Sequence, residues 1–449
     1  MIRVAVLGIG LAVVAACGDQ VTREVTLEPT SGSRLKLEWY LFEDGTRHVA
    51  RQSFYDTEMH ARCAPRPYAD GAVRCVPPAD AAVFIDPACT RAVGRAVDPA
   101  IVEPTHFVGY DRIGGEVLPA RVFEAGDLRE APEPITEYYE LRDGTCDGPF
   151  GIFDDATYYD LGAIYQPVAI HETEVDGPQI ASRLQVADDG MRLPVELRDR
   201  SRDAPCSPEP AGNGGVVCAP IAPAAATLFG DASCTVPIAV VDESAPTPTV
   251  ATRPDPSGCA VYHAVGAPYT GSLYEARGAD CRPVVVSGRR AFELDAALDL
   301  PVLERSVEQA SERRLQRITL GDGDLNLVED RLYDSAIRAD CRLEVIDHTV
   351  RCLPQATTPV VTRFRPGCGL AIALAEVPRG ACSEIAFAAA STELGTELRA
   401  IGAPLATPVF DLIGGQCRPY TAPSDRVLHT LGPTLGLEAF ARGVRYGER

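Results

Sequence analysis

Residues 54 to 63 read FYDTEMHARC, residues 197 to 206 read LRDRSRDAPC and residues 332 to 341 read LYDSAIRADC. In each stretch an aspartate (Asp56, Asp199, Asp334) stands seven places before a cysteine (Cys63, Cys206, Cys341). The likeness continues downstream through AVRCVP, VVCAP and TVRCLP, which set Cys75, Cys218 and Cys352 two residues ahead of Pro77, Pro220 and Pro354. VFIDPAC, LFGDASC and RFRPGC then end on Cys89, Cys234 and Cys368. Further on, VGAPYTGSLYEARGADCRP (265 to 283) aligns without a gap to IGAPLATPVFDLIGGQCRP (401 to 419), and EYYELRDGTC, ending on Cys146, is the first-copy counterpart. The leading cysteines lie 143 and 135 residues apart, so three copies of about 140 residues fill the chain after its N-terminal leader. A carboxylate repeated in every copy is expected to accept backbone N–H bonds at a turn, not to form one of three ligands around an axis.

Each copy opens on a strand-like run: SRLKLEWYLFEDG, SRLQVADDG or RRLQRITLGDG. In the first, Leu35, Leu37, Trp39 and Leu41 alternate with Arg34, Lys36, Glu38 and Tyr40, the period-two signature of a half-buried strand. Asp44-Gly45, Asp189-Gly190 and Asp322-Gly323 then supply tight hairpin turns. The pattern predicts an all-β chain of hairpins. A single helix is expected around Leu303 to Leu315, with a loop at the corresponding Gly177-Pro178.

Two architectures fit this reading. The stretches between copies are split at the chain ends: the N-terminus carries the later part and the C-terminus (LHTLGPTLGLEAFARG) the earlier part. The ends could therefore complete one unit together, as in a closed β-propeller, and two Cys-bearing units per copy would make six blades. The alternative is three consecutive β-sandwich or barrel domains. The division is 25–170, 171–305 and 306–449, preceded by a signal peptide (1–16) and a short lipidated tether (17–24).

The leader MIRVAVLGIGLAVVAAC has one positive charge at Arg3 and an apolar run too short to span a bilayer, so it reads as an export signal. Val14-Ala15-Ala16-Cys17 resembles the lipobox of bacterial lipoproteins, which implies lipid attachment at Cys17. Gly18 rather than Asp after the cysteine favours the outer membrane by the rules of enteric bacteria, and Asp19 one place later leaves the choice of membrane open. The remaining fourteen cysteines suit an oxidising compartment, and the clustered CxxC spacing of a zinc site is absent. Acids number 63 against 41 Arg and the single Lys36, a net charge of -21 that repels nucleic acid and anionic headgroups. Membrane association is therefore expected from the lipid. Together, the Leu-rich strands, DG turns, RC-x-P and F-x-D-x-x-C resemble a group of uncharacterised lipoproteins of myxobacteria and related Gram-negative bacteria, a resemblance that implies no particular activity.

Cys63 with Cys75, Cys206 with Cys218 and Cys341 with Cys352 recur in every copy at hairpin spacing, which predicts three short disulfides. In the first copy Cys89 and Cys146 then pair by elimination. Cys234, Cys259 and Cys281, and Cys368, Cys382 and Cys417, are odd in number in each later copy. Either one bridge crosses between copies or two thiols stay free.

Catalytic and metal chemistry finds little support. GDGDLNLVED (321 to 330) spaces Asp322, Asp324, Asn326 and Glu329 like calcium ligands, but Leu327 stands where the loop needs Gly and Tyr333 where it needs Glu. Seven histidines (His48, His60, His106, His171, His263, His348 and His429) form no His-x-x-x-His pair. G-x-S-x-G, the P-loop and G-x-G-x-x-G are missing. No cofactor and no metal are expected. The expected role is a non-catalytic, lipid-anchored binding or scaffold protein facing an envelope glycan, peptide or protein. A hydrolase with a dispersed site and a purely structural envelope protein are the alternatives.

Overall fold

The computed structural model describes residues 25–447 except 97–103, 129–134, 152–156, 212–214, 222, 255–258, 278–279, 309–311, 347–348, 356, 380–381, 383–384, 393–394 and 423–425. The described chain is nearly all strand, arranged in four sheets.

The largest sheet closes on itself. Each copy contributes a hairpin (Leu35–Phe42 with Arg47–Asp56; Ile180–Ala187 with Arg192–Asp199; Leu315–Gly321 with Leu325–Asp334). A second hairpin follows (Ala61–Pro67 with Val73–Val76; Ala204–Pro210 with Val216–Pro220; Ala339–Ile346 with Thr349–Pro354). A fifth strand returns after a long insertion: Ala169–Asp176, Val302–Val307 and Arg442–Gly447. Each returning strand pairs backwards with its own copy and forwards with the next, as Val302–Val307 does with Val216–Pro220 and Leu315–Gly321. The circuit is completed by Arg442–Gly447 on Leu35–Phe42 and by Leu325–Asp334 on Ala339–Ile346, so fifteen strands form a closed ladder. Val25–Leu27 adds in parallel outside Leu325–Asp334.

Every neighbour pair around this circuit is antiparallel. Straight strands sharing one axis could not close this way, because an odd number of reversals returns the opposite direction. The strands instead turn corners. The start of the Leu35–Phe42 strand meets the turn that ends Ile180–Ala187, whose own start meets the turn that ends Leu315–Gly321. The start of Leu315–Gly321 meets the turn after Leu35–Phe42. Three hairpins thus lie head to tail around a pseudo-threefold axis.

The core divides accordingly into three corners. Leu35 and Leu37 pack with Met191 and Leu193; Ile180 packs with Leu320, Leu325 and Leu327; Leu315 and Leu332 pack with Phe42. Each corner joins the opening strand of one copy to the turn of another, and each fully buried side chain contributes about 1.5–3 kcal/mol. Cys63–Cys75, Cys206–Cys218 and Cys341–Cys352 staple the second hairpins into these corners.

The insertions form three smaller closed sheets. In the first, Asp80–Phe84, Ala92–Ala96, Thr157–Tyr165, Glu116–Leu128 and His106–Ile113 pair in that order, and His106–Ile113 closes in parallel on Asp80–Phe84. Ala224–Phe229, Pro237–Asp242, Arg289–Ala297, Ala260–Pro268 and Val250–Pro254 repeat the order in the second copy, as do Thr357–Phe364, Ala371–Pro378, Arg426–Leu435, Gly395–Pro404 and Phe387–Thr392 in the third. From each barrel an outlying hairpin extends, its last strand an open edge: Thr145–Gly151, Asp280–Val284 or Gln416–Tyr420. Cys89–Cys146, Cys234–Cys281 and Cys368–Cys417 pin these hairpins to the turn after the first barrel strand.

Several expectations change. The architecture is neither six radial blades nor three separate domains, since one ladder runs through all three copies and each copy adds a barrel to it. Residues 170 and 305 fall inside strands shared by two copies. The helix expected around Leu303 to Leu315 is replaced by strand: Val302–Val307 buries Leu303 and bridges two copies, and Leu315 opens the next hairpin. The alternation after Leu37 breaks at a bulge, which turns Glu38 inward to 2% exposure. In the second copy Ile180, paired with Asp199, holds the place that Leu35 and Leu315 hold opposite Asp56 and Asp334. The SRL triplet of that copy therefore lies four residues beyond its apparent counterpart.

Candidate functional site

The aspartates of the repeated turns are buried and fully engaged. Asp56 accepts bonds from the backbone of Glu58 and Met59 at 2.9 and 3.1 Å and from the Arg34 guanidinium at 2.8 Å. Asp334 accepts from Ala336 N at 3.0 Å and pairs with Arg314 through both carboxylate oxygens. Asp199 accepts from Ser201 N at 2.8 Å, but its arginine is Arg202, because Gln179 precedes Ile180 where Arg34 and Arg314 precede the other leucines. Four residues on, His60, Asp203 and Arg338 take left-handed backbone at φ near 50°. These carboxylates shape turns.

The Asp-Gly aspartates do more than start turns. Asp189 reaches from the second copy to Arg34 N (2.8 Å) and Leu35 N (2.5 Å) of the first. Asp322 reaches from the third copy to Gln179 N and Ile180 N of the second (2.8 and 2.9 Å), and Asp44 from the first to Leu315 N of the third (2.7 Å). The three side chains form a cyclic clasp that satisfies backbone donors where the strands turn corners. Gly32 and Gly177 leave room for it: a Cβ would meet the Asp189 carboxylate at 2.2 Å and the Asp322 carboxylate at 2.6 Å. Sequence reasoning saw the turns and missed the reach, because nothing local signals a partner 155 residues away.

The calcium-like run is accordingly dispersed. Asp322 serves the clasp, and Glu329 pairs with Arg331, which also donates to Gln355 at 2.6 Å. Burial raises the Glu329 pKa against the opposing pull of Arg331. Among the described residues no group of three His, Cys, Asp or Glu side chains is placed to hold a metal ion.

Polar burial is greatest in the first copy. Glu38 lies between Arg62 at 2.7 Å and Arg445 from the C-terminal strand, tying the chain end to the first hairpin. His106 is 5% exposed, beside Tyr165 at 5.6 Å between ring centroids and with Nδ1 3.0 Å from Thr105 Oγ1. Burial lowers the His106 pKa, and the charges of Glu124 and Asp56 oppose the shift only in part. His60 lies close enough to His106 for its charge to lower the His106 pKa further. The others lie apart: His263 and His429 bond barrel carbonyls (Asp295 and Gly402), His171 lies 3.9 Å from Asp188, His48 is buried in the first hairpin, and His348 lies outside the described residues.

Clefts open on the described surface. A cleft of about 710 Å³ lies at the second copy's corner, between the Arg200–Ser201 turn, Pro178–Gln179 and the segment entering Val302–Val307, lined by Gln179, Arg200, Asp299 and Leu300 among others. A second of about 490 Å³ runs along Val240 to Pro248 of the same barrel, and a small one of about 110 Å³ adjoins Asp111, whose carboxylate holds the Gly144 turn. The cysteines left open by the sequence resolve as Cys234–Cys281, Cys368–Cys417 and a cross-copy bridge, Cys259–Cys382. Seven disulfides among the described residues mark an oxidising, extracytoplasmic environment. No helix among those residues is long and apolar enough to cross a membrane. Cys17 lies outside them.

The chain belongs to a family of unknown function, DUF7481, whose profile matches residues 10–440. No curated protein and no solved structure matches it.

Proposed function

We propose that this member of the family is a lipid-anchored, non-catalytic binding or scaffold protein of the cell envelope, held at the outer membrane through Cys17. The observation that carries the non-catalytic part is how the repeated aspartates are used: Asp44, Asp56, Asp189, Asp199, Asp322 and Asp334 all bond turns or corners of the frame. The anchor rests on the lipobox-like Val14-Ala15-Ala16-Cys17 and on the extracytoplasmic cysteine chemistry. Residues 18–24 separate Cys17 from the first strand, a reach of about 25 Å at most. The corner beside Leu325 therefore faces the membrane closely, and the barrels present loops to a glycan, peptide or protein partner. Likeness to uncharacterised lipoproteins of myxobacteria and related bacteria supports the same setting.

The test is to assay the unlipidated protein, purified in two independent ways, against envelope glycans, peptides and a broad hydrolase panel. Saturable binding without turnover is expected. Turnover that survives repurification and is lost on one substitution would refute the non-catalytic reading.

A further inference from the structure

In the first copy the barrel and the ring share one apolar core. Met59, three residues after the turn aspartate Asp56, lies in a single buried cluster with Val168 and with the barrel residues Val108 and Val122. His106 opens the barrel strand that carries Val108, and its ring sits 5.6 Å from that of Tyr165, which packs on the same cluster. The imidazole is 5% exposed, with Nδ1 3.0 Å from Thr105 Oγ1 and with no hydrogen-bond partner at Nε2 among the described residues. A neutral ring can leave Nε2 as an unused acceptor, whereas a protonated ring carries a charge and an N–H there, both costly away from water. The groups around it offset that cost only in part. From the ring, Asp56, Glu58 and His60 face the joint; from the barrel, Glu124 stands directly opposite His106 in the ladder. Arg34 holds Asp56 and Glu58 at 2.8 and 2.7 Å, which leaves Glu124 as the carboxylate without an ion pair among the described residues. Burial therefore lowers the His106 pKa; Glu124, Asp56 and the Met59 carbonyl oppose the shift, and the charge of His60 adds to it.

The other two joints carry no imidazole at the matching positions. Four residues after the turn aspartate, His60 is replaced by Asp203 and Arg338. Phe107, which pairs in parallel with Asp80, corresponds to Ala251 on Ala224 and to Phe387 on Thr357, so the place of His106 is taken by Val250 and Ala386. We propose that the first joint is an acid-sensitive latch: as pH falls from neutral toward about 5, His106 and His60 take up protons, the barrel loosens from the ring, and Met59, Val108 and Val122 become accessible while the other two joints stay closed. The direction follows from burial. With the joint open, His106 lies in water and holds its proton up to a higher pH than with the joint closed, so acid favours the open form. One covered apolar face thus becomes a surface that appears only in acid. The latch goes beyond the binding role proposed above and needs neither its anchor nor its ligand.

Hydrogen exchange of the soluble full chain, read by mass spectrometry at pH 7 and pH 5 and corrected for the intrinsic chemical rates, tests the latch. Segments 54–63 and 106–125 should exchange at least about fivefold faster at the lower pH, while their third-copy counterparts, 332–341 and 387–392, keep their rates. His106→Gln should remove most of the acid increase, and His60→Asn, a residue that tolerates the left-handed backbone at this position, should reduce it. Equal exchange at both pH values, an acid increase spread evenly over the copies, or a first-copy increase that His106→Gln leaves intact overturns the proposal. Should His106→Gln not fold, His60→Asn decides: a smaller acid increase supports the latch, and an undiminished one overturns it.

Discussion

At the residue scale, one carboxylate holds two parts of the chain that are far apart in sequence. Asp189→Ala removes charge-assisted bonds to Arg34 N and Leu35 N, so a loss of about 2–4 kcal/mol in denaturant unfolding is expected. Gly32→Ala should cost a comparable amount by displacing the same carboxylate. Arg338 shows the opposite case. It is exposed, holds left-handed backbone at φ 53°, and Arg338→Gly should stabilise by about 1 kcal/mol. His106 sets a pH dependence. Its folded pKa lies below the ordinary value of 6.5, so the unfolded chain takes up the proton first; stability is complete above that value and falls as pH drops toward the folded pKa. Thermal melts at pH 7 and pH 5 should therefore separate less in His106→Gln than in the parent. The turn aspartates, Asp-Gly pairs and short disulfide spacings were legible because each is a local pattern. The clasp was not, because Asp189 and Leu35 meet only once the corners form.

At the element scale, each exposed barrel edge carries a proline: Pro149, Pro283 and Pro419 in Thr145–Gly151, Asp280–Val284 and Gln416–Tyr420. A missing N–H on an edge strand discourages pairing with another chain. The CRP shared by the second and third copies, and the CDGP of the first, thus have a physical use. Pro283→Val with Pro419→Val should raise concentration-dependent association in light scattering, and an unchanged monomer would argue against this role. The strands shared between copies were the elements misread. Val302–Val307 carries an apolar pattern too short to separate helix from strand, and only its two partners decide. The barrel of the second copy is joined to the third by Cys259–Cys382. With a sequence separation of 123, that bridge should contribute about 5 kcal/mol on a chain-entropy basis, against about 3 for a staple such as Cys63–Cys75. Paired serine substitutions compared by denaturant unfolding would check the order.

At the scale of the whole molecule, the chain ends close the frame: Arg442–Gly447 pairs with Leu35–Phe42, and Val25–Leu27 with Leu325–Asp334. That the two ends complement each other was readable from the split linker sequences, whereas the closed ladder was not, since an odd antiparallel circuit depends on corners no strand pattern reveals. Closure also brings the first residues after the tether to one corner, close to the membrane if Cys17 is acylated. Intact mass of the protein extracted from envelopes tests this most directly. The account predicts a chain that begins at Cys17, carries diacylglycerol on its sulfur and partitions into detergent; an exported chain with an unmodified Cys17 thiol, or one that begins beyond it, would contradict the account.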